Sequence, residues 1–135
     1  MTKNLSRSKV MVCDDDPDVT TIIKDGLTKH GFYVDAFNDP EEALSKFAPG
    51  RYELVILDIR MPSMSGFEVF KSIRGKDTKV KVVFLTAFEI YIQEFRKLFP
   101  DSDVSMFIRK PIHMKDLESL LEDKFGLRRA PAGTS

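Results

Sequence analysis

The chain alternates short apolar runs with longer stretches in which apolar residues recur every three or four positions. Val10–Cys13, Phe32–Phe37, Leu54–Leu57, Val80–Leu85 and Val104–Ile108 are the runs. Their length and β-branched or aromatic content predict strands, and a run such as Leu54–Leu57, apolar at every position, predicts a strand covered on both faces. Between the runs, Val19, Ile22, Ile23, Gly26 and Leu27, then Ala43, Leu44 and Phe47, then Phe67, Val69, Phe70 and Ile73 fall at helical spacing. So do Phe88, Tyr91, Ile92, Phe95, Leu98 and Phe99, and finally Met114, Leu117, Leu120, Leu121 and Phe125. Five strands alternating with five helices predict a parallel sheet wrapped on both faces.

The polar residues punctuate this pattern. Asp16 before Pro17 and Asp39 before Pro40 are capping residues followed by proline in the first turn, and Glu41-Glu42 add favourable charge to that second start. Gly31, Pro49-Gly50, Gly75, Pro100 and Gly126 mark helix ends. The Phe88–Phe99 stripe is expected to be mostly core, with Ile90 off the stripe as an apolar surface residue. Residues 1–8 are expected to form a flexible arm and residues 127–135 a disordered tail or the start of a linker, which leaves 9–126 as one domain.

Composition narrows the possibilities. Twenty-one basic residues balance 21 acidic ones in 135 residues, so no global field points to direct nucleic-acid binding or to a membrane surface. No apolar run approaches the roughly 20 residues needed to span a bilayer, and the polar start of the chain lacks the apolar centre of a signal peptide. A single cysteine excludes an internal disulfide. A cytoplasmic single domain is the expectation.

The chemistry lies at the strand ends. Asp14-Asp15 ends the first, Asp58 the third, Thr86 the fourth and Lys110 the fifth. In a parallel sheet these ends share one rim, where open α/β folds bind ligands. Three carboxylates gathered there repel unless a cation neutralises them, and an all-oxygen set favours a hard ion such as Mg²⁺. The Lys110 ammonium can hold a phosphoryl oxygen and the Thr86 hydroxyl a second one. A carboxylate beside a divalent cation, faced by an ammonium and a hydroxyl, suits covalent aspartyl phosphate chemistry. His30 and His113 read as polar residues at helix boundaries, and Cys13 as a small buried apolar one.

Val12-Cys13-Asp14-Asp15-Asp16-Pro17, Leu57-Asp58-Ile59-Arg60-Met61-Pro62-Ser63-Met64-Ser65-Gly66, Leu85-Thr86-Ala87 and Phe107-Ile108-Arg109-Lys110-Pro111 together resemble the receiver domain of two-component response regulators, over roughly residues 9–125. The resemblance implies a flavodoxin-like (βα)5 doubly wound sheet in the order 2-1-3-4-5. It implies Asp58 as phosphoacceptor. Asp15, Asp58 and the main-chain carbonyl of Arg60 would bind Mg²⁺ directly, with Asp14 acting through water. Lys110 would contact the phosphoryl group, preceding a cis peptide to Pro111. On phosphorylation Thr86 would move toward the phosphoryl group and Phe107, standing where many relatives have Tyr, would turn inward behind it. Asp103-Val104 departs from the Gly-Ala that relatives often carry there.

The implied partners are a histidine kinase or histidine phosphotransfer protein, and a downstream protein or effector domain on the face made by the fourth helix, fifth strand and fifth helix, with a homodimer as a further possibility. Such a domain is a signalling module that catalyses only its own Mg²⁺-dependent phosphorylation and dephosphorylation. Arg60 and Phe88 stand two residues beyond Asp58 and Thr86, beside the expected route of the hydrolysing water, and their bulk predicts a longer-lived phosphoryl group. The alternative is a pseudo-receiver that binds partners without phosphorylation, against which the complete set of five rim residues argues. A haloacid-dehalogenase-like phosphatase needs a second Asp two residues after its nucleophile; Asp58-Ile59-Arg60 lacks it, and Asp14-Asp15-Asp16 has the spacing but carries Asp18 where that family has Thr. No Walker-type nucleotide motif is present.

Overall fold

A computed structural model of the chain describes residues 9–98 and 106–125. Its elements run β1 (Lys9–Cys13), α1 (Pro17–Lys29), β2 (Tyr33–Phe37), α2 (Pro40–Lys46), β3 (Leu54–Asp58), α3 (Gly66–Lys76), β4 (Lys81–Thr86), α4 (Glu89–Leu98), β5 (Met106–Arg109) and α5 (Met114–Phe125). The strands form one parallel sheet in the order β2-β1-β3-β4-β5. This is the doubly wound architecture expected from the alternation of runs and stripes, with the flavodoxin-like strand order.

Strand periodicity divides the core in two. Met11, Cys13, Val55, Leu57, Val82 and Phe84 face α2, α3 and α4, meeting Ala43, Val69, Phe70, Ile73 and Phe95. The intervening residues Val10, Val12, Leu54, Ile56, Val83 and Leu85 face α1 and α5, meeting Ile23, Leu27, Leu117 and Leu121. β3 is buried at every position because both of its faces are covered.

Asp16 and Asp39 cap α1 and α2 by accepting from the Asp18 and Glu41 amides. Ser65 and Glu68 form a reciprocal capping box at α3. At the edge of the sheet where the strands begin, the Asp77 carboxylate accepts from the amides of Gly50 (3.0 Å), Lys79 (2.8 Å) and Val80 (3.1 Å). The Arg74 guanidinium donates to the carbonyls of Asp77 and Val80. The α2–β3 and α3–β4 connections are thereby fastened to each other.

The aromatic stripe around α4 departs from expectation. Phe95 is 1% exposed, but Phe88 is 54% and Leu98 61% exposed. Phe88 precedes the first helical residue and Leu98 is the last one, so neither follows the helical face that Phe95 turns to the sheet. The expectations for the Ile90 and Tyr91 side chains, Phe99, Pro100, Asp103-Val104, the arm 1–8 and the tail 127–135 fall outside the described residues. Among the described residues no helix is long and apolar enough to cross a membrane.

Candidate functional site

The first two acidic residues come directly after β1. The Asp14 amide donates to the Phe37 carbonyl at 3.1 Å, which extends the β1–β2 pairing by one residue and fixes where the loop begins. Asp14 Oδ1 accepts the Asp16 amide at 2.9 Å, and the side chain is fully buried. Asp15 is exposed beside it.

Asp58 is the last residue of β3 and is 6% exposed. The backbone after it is held on both sides: the Ile59 amide donates to the Leu85 carbonyl, and the Ile59 carbonyl accepts the Gly66 amide at 2.8 Å. Gly66 presses so closely on this turn that a Cβ there would overlap the Asp58 carbonyl oxygen. A glycine is required by that approach.

Asp14, Asp15 and Asp58 each bring a carboxylate oxygen to a common point, all within 4.8 Å of one another. Lys110, beyond β5 and joined to Pro111 by a cis peptide, points its ammonium into the cluster. Its Nζ lies 2.8 Å from Asp14 Oδ2 and 3.3 Å from Asp58 Oδ1. Asp14 Oδ2 meets that ammonium as an ion pair and accepts no aligned hydrogen bond.

One ammonium faces three carboxylates, and the electrostatics reflect the surplus. Burial, and then the Asp14 charge, push the Asp58 carboxyl up to about 7 in spite of Lys110. Burial works against the charged form of Lys110, yet the two carboxylates outweigh it and hold the amine above its ordinary value. Burial and the neighbouring Asp14 push the Cys13 thiol up to about 12, which keeps it protonated at neutral pH. An oxygen-only set with two buried members, one exposed member and excess negative charge fits a small hard cation. Asp14, Asp15 and Asp58 are the side chains able to hold it.

Thr86 is buried on the same rim, and its carbonyl accepts the Lys110 amide at 2.9 Å. Its hydroxyl, however, is turned to the next loop. Oγ1 accepts the Phe88 amide at 3.0 Å and donates to the Phe88 carbonyl at 3.2 Å. Phe107 is turned inward. Its ring stacks on Phe84 (5.6 Å, 20°) and meets Phe95 edge-on (5.5 Å), while the Arg96 guanidinium lies 5.4 Å from its centre. Arg60, in the loop after Asp58, lines an adjoining cavity of about 470 Å³ together with Asp15, Met61, Phe67 and Glu94.

The structure also shows contacts that sequence reading missed. Asn38 donates from its amide nitrogen to the Asp14 carbonyl at 2.8 Å and to the Thr20 hydroxyl at 2.9 Å. In sequence Asn38 reads as part of a helix start, and only the β2-β1 adjacency brings it to the acidic loop. His30, placed at a helix boundary, pairs with Glu118 of α5 at 2.7 Å.

Comparison with known proteins gives the same picture. A "Probable transcriptional regulator ycf27" of Guillardia theta is 33% identical over 114 residues, covering 84% of this chain and 44% of that protein. The "Response regulator receiver protein CpdR" of Brucella abortus is 28% identical, covering 84% of this chain and 93% of its own. The chain spans less than half the length of the first of these relatives and nearly all of the second. Among solved structures, the response regulator TrrA of Thermotoga maritima in complex with Mg²⁺–BeF superposes with a TM-score of 0.73 at 32% identity, over 85% of this chain and 96% of that one. The family model of the response regulator receiver domain matches residues 10–122. With this match, and with strand order and acidic rim in agreement, the chain belongs to the response regulator receiver domain family.

Proposed function

We propose that the domain, taken as residues 9–126, receives a phosphoryl group on Asp58 from a phosphohistidine of a histidine kinase or histidine phosphotransfer protein, and passes the signal on through a changed protein-binding surface. The observation that carries this reading is the cluster of the Asp14, Asp15 and Asp58 carboxylates, with the Lys110 ammonium on Asp14 and Asp58. An Asp58 carboxylate oxygen attacks phosphorus; the phosphorus–nitrogen bond breaks and its electron pair stays on the imidazole, which takes a proton. Asp58 must be ionised for this, and burial opposes ionisation up to about pH 7.

Mg²⁺ bound by the carboxylates and the Arg60 main-chain carbonyl, with Asp14 acting through water, would favour the ionised Asp58 and offset charge on the phosphoryl oxygens. Lys110 swings from Asp14 to one phosphoryl oxygen. Thr86 exchanges its bonds to Phe88 for a second, and Phe107, which packs on Phe84 and Phe95, follows in behind it. The surface affected is α4, β5 and α5, which a downstream protein, an effector domain or a second copy would read. The chain's catalysis is confined to its own phosphorylation and dephosphorylation, in the cytoplasm.

Intact mass measurement after incubation with acetyl phosphate, with and without Mg²⁺, tests the reading. One added phosphoryl mass that requires Mg²⁺ and is absent in Asp58→Asn is expected. No adduct on the parent protein overturns it in favour of a phosphorylation-independent binding module.

A further inference from the structure

The geometry points to Asn38 and Thr20 as positioning residues for the divalent-cation site, an inference that rests on Asp58 being the phosphoacceptor. Neither residue is a candidate ligand. Asn38 comes directly after the outer strand β2, and Thr20 lies in the second turn of α1.

The Asn38 amide nitrogen donates to the Asp14 carbonyl at 2.8 Å and to Thr20 Oγ1 at 2.9 Å. A main-chain carbonyl can only accept, so this contact assigns the nitrogen and leaves no equally good flipped arrangement. Thr20 is 3% exposed, and its hydroxyl donates to the Pro17 carbonyl at 3.1 Å. That hydroxyl has one proton, so toward Asn38 it acts as acceptor. The bonds therefore run in one direction, from Asn38 to Thr20 to Pro17.

From its other side, Asp14 is held through its amide to the Phe37 carbonyl. Both polar groups of the Asp14 peptide thus bond to the end of β2. The segment that carries Asp15 is clamped between the Asp14 and Pro17 carbonyls by a single side chain and one buried hydroxyl. Asp15 itself is exposed, yet its carboxylate must share a 4.8 Å cluster with two buried partners. A short loop anchored at both ends meets that demand without ordering Asp15 anew each time a cation binds. Groups that orient metal ligands in this way commonly contribute about ten- to a hundredfold in affinity.

A plain loop staple would use the same bonds, and cation affinity separates the two roles. Mg²⁺ is titrated calorimetrically into the full chain and into Asn38→Ala, Thr20→Val and Thr20→Ser, alongside the Tm of each without metal. Asn38→Ala is expected to weaken Mg²⁺ binding about tenfold. Thr20→Val should weaken it by a smaller factor and Thr20→Ser, which keeps the hydroxyl, should restore it. In phosphorylation by acetyl phosphate, the Mg²⁺ needed for half-maximal rate should rise by the same factor while the rate at saturating Mg²⁺ holds. Parent-like Mg²⁺ affinity in Asn38→Ala, with Tm lowered or not, overturns the positioning role and leaves the phosphoacceptor reading intact. A parent protein that binds no Mg²⁺ overturns both.

Discussion

Lys110 Nζ stands closer to Asp14, at 2.8 Å, than to Asp58, at 3.3 Å, so the partly buried ammonium is shared between two carboxylates and biased toward the one that follows β1. Asp14 is fully buried and Lys110 is 24% exposed. Lys110→Met leaves the Asp14 charge uncompensated and should cost about 3 kcal/mol in metal-free buffer, the lower end for breaking a buried pair. Urea denaturation measures this, and Mg²⁺ should recover part of the loss.

Asp58 holds its proton more tightly in the folded than in the unfolded chain, with about 7 against an ordinary carboxyl value of 3.8. A folded-state pKa raised on an acid means that stability falls as pH rises between those values and stays lower above them. Without metal, Tm should therefore decline from about pH 4 to about pH 7, and Asp58→Asn should flatten the decline and raise Tm at neutral pH. A thermal-melt series across that range decides it.

Two glycines of α3 should respond in opposite senses. Gly66→Ala drives a Cβ into the backbone of Asp58 and Ile59, where nothing flexible can yield, and should cost about 2 kcal/mol while displacing Asp58. Gly75 has nothing within 4 Å of its would-be Cβ, so Gly75→Ala should gain up to about 1 kcal/mol. Paired melts and Asp58 phosphorylation yields test both.

The interior aromatics and Phe88 differ in the same measurable way. Phe84, 0% exposed, packs with Phe67, Phe70, Phe95 and Phe107, and Phe84→Ala should cost about 3–5 kcal/mol by denaturant melts. Phe88→Ala, at a half-exposed position, should stay within about 0.5 kcal/mol.

Arg60 lines a cavity that it shares with Asp15 of the acidic cluster. If its bulk hinders the hydrolysing water, Arg60→Ala should shorten the phosphoryl lifetime severalfold. Decay of the phosphorylated mass after removal of donor reads this directly, and an unchanged rate rejects it.

The strands and the rim were legible in sequence because both obey one-dimensional rules. Leu54–Leu57 is apolar at every position, and Asp14, Asp58, Thr86 and Lys110 each end a run. The pairing of Lys110 with Asp14 was not legible, since β3 and β4 lie between β1 and β5 in the sheet and the loop must return across them. Asn38 and Thr20 meet only after β2 is laid beside β1, and nothing at their spacing announces it. The capping box at Ser65 carried a readable signal, with Glu68 three residues on. The exposure of Phe88 did not, because periodicity cannot show that a helix begins one residue later.

The bonds around Asp77 bear on how the two loops it joins respond to acid. Backbone amides, chiefly that of Gly50, hold this carboxyl below the usual carboxylate range, so it remains ionised after freely solvated acids have taken up protons. The stability it contributes is present above its unfolded pKa and is lost only as pH falls through the lowered folded one. The far ends of β3 and β4 thus sit on an acid-resistant crossbeam made of two loops. The opposite ends of the same two strands carry Asp58 and Thr86, so the sheet is pinned by backbone bonds at one edge and bears its buried acidic rim at the other.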